Sequence, residues 1–102
     1  MSVPLPARLE AADALARALA SPDAYVVIDT RHGVELGFYA PRGEDPQEPH
    51  RRDEFYLVAS GSGVFRRGDE TTPFGPGDLL FVAAGTPHRF EDFSGDFGTW
   101  VL

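Results

Sequence analysis

A chain of 102 residues without cysteine has room for one domain and excludes disulfides, thiolate metal sites, iron–sulfur clusters and cysteine nucleophiles. The net charge is −7, and arginine accounts for all nine Lys and Arg residues, so binding to nucleic acid or to an anionic membrane surface is disfavoured. No apolar run reaches the length of a membrane span, and the N-terminus does not resemble a signal peptide. We therefore expect a cytoplasmic protein with neither a nucleic-acid nor a membrane partner.

The first predicted element is a short helix over residues 6–20, which are rich in alanine and leucine. Pro6 fits the first helical turn, and Leu9, Leu15 and Leu19 lie close to one face. This face is expected to pack against the outside of a sheet or against a partner subunit. We assign residues 1–23 to this helix and its lead-in, and residues 24–102 to a β-barrel.

From residue 24 onward, short apolar and β-branched segments alternate with turns rich in glycine and proline. Gly61 and Gly63 are expected to flank a hairpin. This spacing predicts an all-β sandwich or a closed barrel, whose closure would remove exposed sheet edges. Strands are predicted at residues 24–29, 34–40, 54–59, 64–67, 70–74, 79–82, 88–92 and 97–102.

The three histidines differ in their surroundings. His32 lies in a predicted turn, which is typical of a solvated side chain. His50 stands four residues before Glu54 at the start of an apolar strand, and His88 begins another strand after a loop. Two imidazoles and one carboxylate form a competent ligand set for a first-row divalent ion. From spacing alone, the alternative is that both histidines are structural or exposed.

Two segments resemble the motifs of the cupin family. The first, Glu-Pro-His-Arg-Arg-Asp-Glu at 48–54 with Gly61 after six further residues, resembles the motif that contains His-x-His, three or four residues, Glu, six residues and Gly. The second begins at Gly77 and contains Gly-Thr-Pro-His at 85–88, followed four residues later by Asp92. Together they extend the resemblance over about residues 24–102.

This resemblance implies a double-stranded β-helix, or jelly-roll barrel, that is usually a homodimer. It implies that His50, Glu54 and His88 point inward and bind iron, manganese, nickel or zinc. The first histidine of the motif is replaced here by Glu48, which would then be the fourth ligand. Gln47 could take that place if a bulge shifts the register. The departures at Ala83 and Asp92, for the usual proline and asparagine, are mild.

Cupins include both enzymes and binding proteins, so three functions stay open. The first is a metal-dependent enzyme acting on a small molecule, dioxygenase-like or isomerase-like, with Glu48 as general base if it is not a ligand. The second is a non-catalytic module that binds a metal or a small molecule. The third is a subunit that makes protein contacts through its N-terminal helix and an exposed edge.

Overall fold

The computed structural model describes residues 4–102, which form one helix followed by eight strands. Helix α1 spans Ala11–Leu19. The strands are β1 Tyr25–Arg31, β2 Val34–Tyr39, β3 Glu54–Ser60, β4 Gly63–Arg67, β5 Glu70–Phe74, β6 Leu79–Val82, β7 His88–Glu91 and β8 Gly98–Val101. Each predicted strand is present, with its ends displaced by no more than two residues.

Helix α1 is shorter than predicted, and of the predicted leucine face Leu15 is partly buried against the sheet. It begins after Glu10, whose extended backbone (φ −85°, ψ 126°) precedes the first helical residue, so Pro6 lies outside the helix. The buried residues are Ala14 and Ala18, whereas Leu19 is exposed. Small alanines allow the helix to approach the sheet closely.

The strands form two antiparallel sheets with orders β1-β2-β8-β3-β6 and β5-β4-β7. Because β3 and β4 belong to different sheets, the predicted hairpin at Gly61 and Gly63 is wrong, and this segment crosses between the sheets. Gly61 has a positive φ of 81° and packs so tightly against the backbone of Phe97 that a side chain would not fit. The Ser62 backbone N–H donates to Ser94 Oγ at 3.0 Å, which fixes the crossing.

The core lies between the two sheets and is largely aromatic. Phe90 is central to it, with ring centroids 4.8 Å from Phe97, 5.0 Å from Tyr56 and 5.1 Å from Phe65. In the described residues no strand belongs to both sheets, so the expected closed barrel takes the form of two separate sheets packed around one core. The remaining buried members of this core are Tyr39, Val58, Phe74, Val82 and Val101.

Helix α1 covers part of the outer face of the five-stranded sheet. Ala14 and Ala18 form a second buried cluster with Phe38 and Ala40, and Trp100 packs edge-on against Phe38 at 5.0 Å. This contact confirms that the N-terminal helix packs against the outside of a sheet. Within residues 4–102 no helix is long and apolar enough to cross a membrane.

Candidate metal centre

Three predicted ligands come together at one end of the two sheets. Glu54 is the first residue of β3 in the larger sheet, His88 is the first residue of β7 in the smaller sheet, and His50 lies just before β3. Glu54 Oε1 is 3.2 Å from His50 Nε2 and 3.9 Å from His88 Nε2. The two imidazole rings face each other at a centroid distance of 5.1 Å. All three ligand atoms lie within 4.8 Å of one another.

Backbone hydrogen bonds hold the two ligand-bearing loops together. The N–H of Gly85 donates to the carbonyl of His50 at 2.7 Å. The N–H of Ala84 donates to Asp53 Oδ1 at 2.8 Å. Gly85 has a positive φ of 77°, a conformation that glycine adopts without strain. The loop before β7 is therefore fixed against the loop before β3, which brings His88 beside His50.

The environment of His88 defines which ring nitrogen faces the cluster. Its Nδ1 lies 2.8 Å from the carbonyl oxygen of Thr86, and because a carbonyl only accepts, Nδ1 is the donor. In the tautomer with Nδ1–H, the lone pair is on Nε2, the ring nitrogen that faces Tyr56 and Glu54. The side chain of His88 is 1% exposed and that of His50 is 41% exposed, so the cluster is buried on one side and open on the other.

Tyr56 and Gln47 complete the cluster, and sequence reasoning had not assigned Tyr56 to it. The hydroxyl of Tyr56 lies 3.0 Å from Glu54 Oε1, 3.1 Å from His88 Nε2 and 3.1 Å from Gln47 Oε1. These three acceptors share a single hydroxyl proton. Burial, followed by the charge of Glu54, raises the pKa of the Tyr56 hydroxyl, which therefore remains protonated.

Glu48 is not brought to this cluster. It is exposed and lines a surface groove with Arg66 and Arg89, which Gln47 and His88 also border. Gln47, the alternative considered for the same position, places Oε1 3.1 Å from His50 Nε2. His32 lies at the exposed tip of the β1–β2 hairpin with a positive φ of 51°, as expected for a turn residue.

The converging lone pairs fit a cation. Ligand atoms around a first-row ion at about 2.1 Å lie roughly 3.0 to 4.2 Å apart, and the distances of Glu54 Oε1 to the two imidazole nitrogens fall in this range. The oxygens of Gln47 and Glu54 and the Nε2 of His88 all accept, and the donors available to them are the Tyr56 hydroxyl and, in one tautomer, His50 Nε2. A divalent ion would satisfy these acceptors together.

A cavity of about 310 Å³ opens beside the cluster and is lined by Gln47, His50, Glu54 and Tyr56. Its other wall includes Asp23, Glu35 and Tyr25. The Tyr25 hydroxyl donates to Glu35 Oε2 at 2.7 Å, and burial with this hydrogen bond raises the pKa of Tyr25. A larger cavity of about 700 Å³ shares His50, Glu54 and Tyr25 and includes Arg51 and Arg52.

The family of this chain follows from its similarity to known proteins. Residues 36–96 match the cupin domain family Cupin_2, and the chain therefore belongs to the cupins. It is similar to an uncharacterised protein of Streptomyces coelicolor, with 34% identity over 85 residues, or 81% of each chain.

Solved structures agree with this assignment. A cupin-2 domain protein from Shewanella frigidimarina superposes with a TM-score of 0.64 at 17% identity over 76% of each chain, a likeness that shows the fold. A protein from Ralstonia eutropha, described as a candidate mannose-6-phosphate isomerase, has a TM-score of 0.59 at 26% identity. It is matched over 81% of this chain and 83% of its own. The protein thus has a cupin fold, built mostly of β-strands with one short helix.

Proposed function

We propose that this cupin binds a divalent transition metal ion through His50, Glu54 and His88, and acts on a small molecule in the adjoining cavity. The observation that carries this proposal is the convergence of three ligand atoms from two sheets to within 4.8 Å of one another. Iron, manganese, nickel and zinc all accept such nitrogen and oxygen ligands. When bound, the ion supplies Lewis-acid polarisation of a substrate oxygen or, for iron, dioxygen chemistry.

The protein's own residues would supply charge, orientation and an entrance. Glu54 contributes the negative charge that balances the ion. The backbone carbonyl of Thr86 accepts a hydrogen bond from the Nδ1–H of His88 and so orients the imidazole. Outer partners of metal-bound histidines commonly act in this way. His50 is half-exposed and lines the cavity, so it forms the side of the proposed metal site that is open to a small molecule.

The cavity of about 310 Å³ beside the cluster favours a neutral or cationic small molecule over a phosphorylated one. Asp23 and Glu35 line its wall, and no lysine or arginine is among the described residues that surround it. Two carboxylates in a half-enclosed space repel a phosphate or a carboxylate. The mannose-6-phosphate in the description of the Ralstonia eutropha protein is therefore not our proposed substrate.

The position of Glu48 favours the alternative of a non-catalytic metal-binding or small-molecule-binding module. Glu48 was the expected general base if it was not a ligand, but it is exposed and lines neither of the cavities that contain His50 and Glu54. Oxygen uptake and product formation with diketones, phenols and amino-thiols separate the two functions. Turnover that requires the bound ion supports an enzyme, whereas stoichiometric metal without turnover supports the binding module.

Elemental analysis tests the metal site itself. Protein purified without added metal is expected to contain close to one equivalent of a first-row ion. His50→Ala, Glu54→Ala and His88→Ala should each lower the affinity by more than about 100-fold, because outer partners alone contribute about 10–100-fold. His32→Ala is the matched control and should retain the ion. Full metal content in all three ligand variants would refute the site.

Two further points are proposals. One is the jelly-roll arrangement of the two sheets, and the other is the domain boundary between residues 1–23 and 24–102. From β3 to β8 the chain crosses between the sheets at every step except that from β4 to β5, which supports the first. The start of β1 at Tyr25, after helix α1 and a short turn, supports the second.

We also propose that the protein is a homodimer that pairs through the uncovered part of its outer sheet face. Helix α1 covers β1 and β2, but the outer face of β3 and the edge strand β6 is bare. The exposed fractions there are 44% for Phe55, 40% for Leu57, 60% for Leu79 and 37% for Phe81. We call these four residues the outer apolar patch.

The area of the outer apolar patch suits pairing with a second copy. Four side chains of this size and exposure offer about 300–400 Å² of apolar surface. A standard interface buries about 800 Å² per partner, of which a little over half is apolar. Arg67 donates to the carbonyl of Phe81 at 3.1 Å, which occupies part of the free edge of β6 and favours face-to-face packing.

A further inference from the structure

We propose that the side-chain amide oxygen of Gln47 is a fourth protein ligand of the ion, and that Asp45 is the residue that positions it. This inference rests on the proposed metal binding. Gln47 Oε1 lies 3.1 Å from His50 Nε2 and 3.1 Å from the hydroxyl of Tyr56, which itself contacts Glu54 and His88. The amide oxygen is therefore within the same group of converging lone pairs.

The direction of the Gln47 amide follows from its partner. Its Nε2 lies 2.6 Å from Asp45 Oδ2, and a carboxylate oxygen accepts, so this atom is the nitrogen that donates. The oxygen at the other end of the amide must then face the cluster. A reversed amide would set its oxygen against the carboxylate of Asp45 and lose this hydrogen bond.

Asp45 is held firmly enough to serve this purpose. It is 6% exposed and accepts hydrogen bonds from the Tyr39 hydroxyl at 2.6 Å and from the Phe90 backbone N–H at 2.8 Å. The backbone N–H of Gln47 donates to it as well, at 3.2 Å. These donors come from β2, from β7 and from the loop between β2 and β3, so the carboxylate ties this loop to both sheets. Charge-assisted hydrogen bonds of this kind are about twice as strong as neutral ones.

The resulting ligand set differs from one with a third imidazole. It contains two imidazole nitrogens, one carboxylate oxygen and one neutral amide oxygen. Imidazole suits zinc and nickel, whereas carboxylate and carbonyl oxygens suit manganese. Replacing nitrogen with an amide oxygen should therefore weaken zinc and nickel binding more than manganese binding. This makes Gln47 a determinant of metal preference.

Dissociation constants for Mn²⁺ and Zn²⁺ alone, measured by calorimetry or indicator competition, test the ligand assignment. Gln47→Leu should weaken both ions by about 10-fold or more, as for partners of a metal site. Gln47→His should strengthen Zn²⁺ binding by a larger factor than Mn²⁺ binding. Glu48→Gln, at the exposed neighbouring position, is the control and should change neither. Unchanged affinities in Gln47→Leu would overturn the proposal.

A double-mutant cycle tests whether Asp45 acts through Gln47. Asp45→Asn should weaken metal binding in the parent protein and have no further effect when Gln47→Leu is already present. An equal loss in both backgrounds would show that Asp45 is structural and would reject its positioning role. If Asp45→Asn does not fold, Tyr39→Phe, which removes one donor to Asp45, takes its place in the cycle.

The outcomes also separate this inference from the proposed function. Loss of binding in His50→Ala and His88→Ala with full binding in Gln47→Leu rejects the fourth ligand and leaves the metal site intact. Absence of Mn²⁺ and Zn²⁺ binding in the parent protein rejects the proposed function, and this inference falls with it. A change in the visible spectrum of bound Co²⁺ in Gln47→Leu would independently support a lost ligand.

Discussion

The ring of Tyr25 lies across Gly37 of the neighbouring strand and occupies the space that a side chain at position 37 would need. A Cβ atom there would overlap the Tyr25 hydroxyl and ring. In this position Tyr25 donates to Glu35 and forms one wall of the cavity beside the metal cluster. Gly37 thus matters for its lack of a side chain, since it allows the tyrosine to lie flat over the sheet.

Gly37→Ala is expected to destabilise the protein by about 1–3 kcal/mol, the usual cost of forcing an extra methyl group into a packed site. The tyrosine must move and lose its hydrogen bond to Glu35. Urea unfolding gives the free energy. Gly95→Ala is the control, because a Cβ at that position meets nothing within 4 Å, and it should change stability by less than about 1 kcal/mol. Equal stability of the two variants would show that Tyr25 is not confined.

All three tyrosines of the chain are expected to resist ionisation in the folded protein. Burial is the main cause that raises the pKa of Tyr25, Tyr39 and Tyr56, followed by hydrogen bonds or charges from Glu35, Asp45 and Glu54. The unfolded chain releases these protons near pH 10 and the folded chain retains them. The contribution of the tyrosines to the free energy of unfolding should therefore be constant below about pH 10 and fall as the pH rises further.

Absorbance at the tyrosinate band and urea unfolding at about pH 8 and pH 11 measure this effect. Tyrosinate absorbance should rise together with unfolding and not before it. Tyr25→Phe should make the loss of stability with pH less steep. A tyrosinate signal with a midpoint near pH 10 in protein that is still folded would contradict the expectation.

Acid is expected to release the bound metal. Imidazole must be neutral to coordinate, and its ordinary pKa is about 6.5, so protons compete with the ion below about pH 6. Metal content after dialysis at about pH 7.5 and pH 5, with circular dichroism to confirm folding, gives the result. His32→Ala should behave like the parent protein. Unchanged metal in folded protein at the lower pH would argue against coordination by histidine.

Substitution within the outer apolar patch is expected to produce monomers. Phe55→Asp and Leu79→Asp each place a charge at the centre of the proposed interface, and sedimentation measures the mass. Val27→Asp is a matched control, because Val27 is 44% exposed and lies on β1, the edge of the sheet opposite β6. Each copy carries a net charge of −7, so moderate salt should strengthen the dimer.

Other results would assign a different role to the patch. A parent protein that sediments as a monomer at all salt concentrations would reject self-association. Weakening of the dimer by salt would indicate attraction between opposite charges in place of apolar contact.

Local sequence signals predicted the strands well because turns and alternation act over a few residues. Gly68 and Asp69 form the tight turn that pairs Arg67 with Glu70, as the sequence indicated. The segment at Gly61 was misread as a hairpin because Gly61 packs closely against Phe97 and Gly63 against Phe93, residues distant in sequence. Contacts of that kind have no local pattern.

The candidate site was predictable to the extent that motif spacing defines it. His50, Glu54 and His88 were identified from the sequence, and the structure brings them together. Our proposal of Gln47 in place of Glu48 rests on Asp45, whose burial and four donors arise from β2, β7 and its own loop. An aspartate in a loop rich in proline and glycine gives no sign of this role.

Strand β3 has two chemically opposite sides that alternate residue by residue. Glu54 and Tyr56 point toward the two imidazoles of the proposed metal site, whereas Phe55 and Leu57 point outward. A slip of β3 by one position against β6 and β8 would bury phenylalanine among the imidazoles and expose the carboxylate. Correct alignment of this strand is therefore a condition for any ion binding, and titration with metal reports on folding fidelity as well as on chemistry.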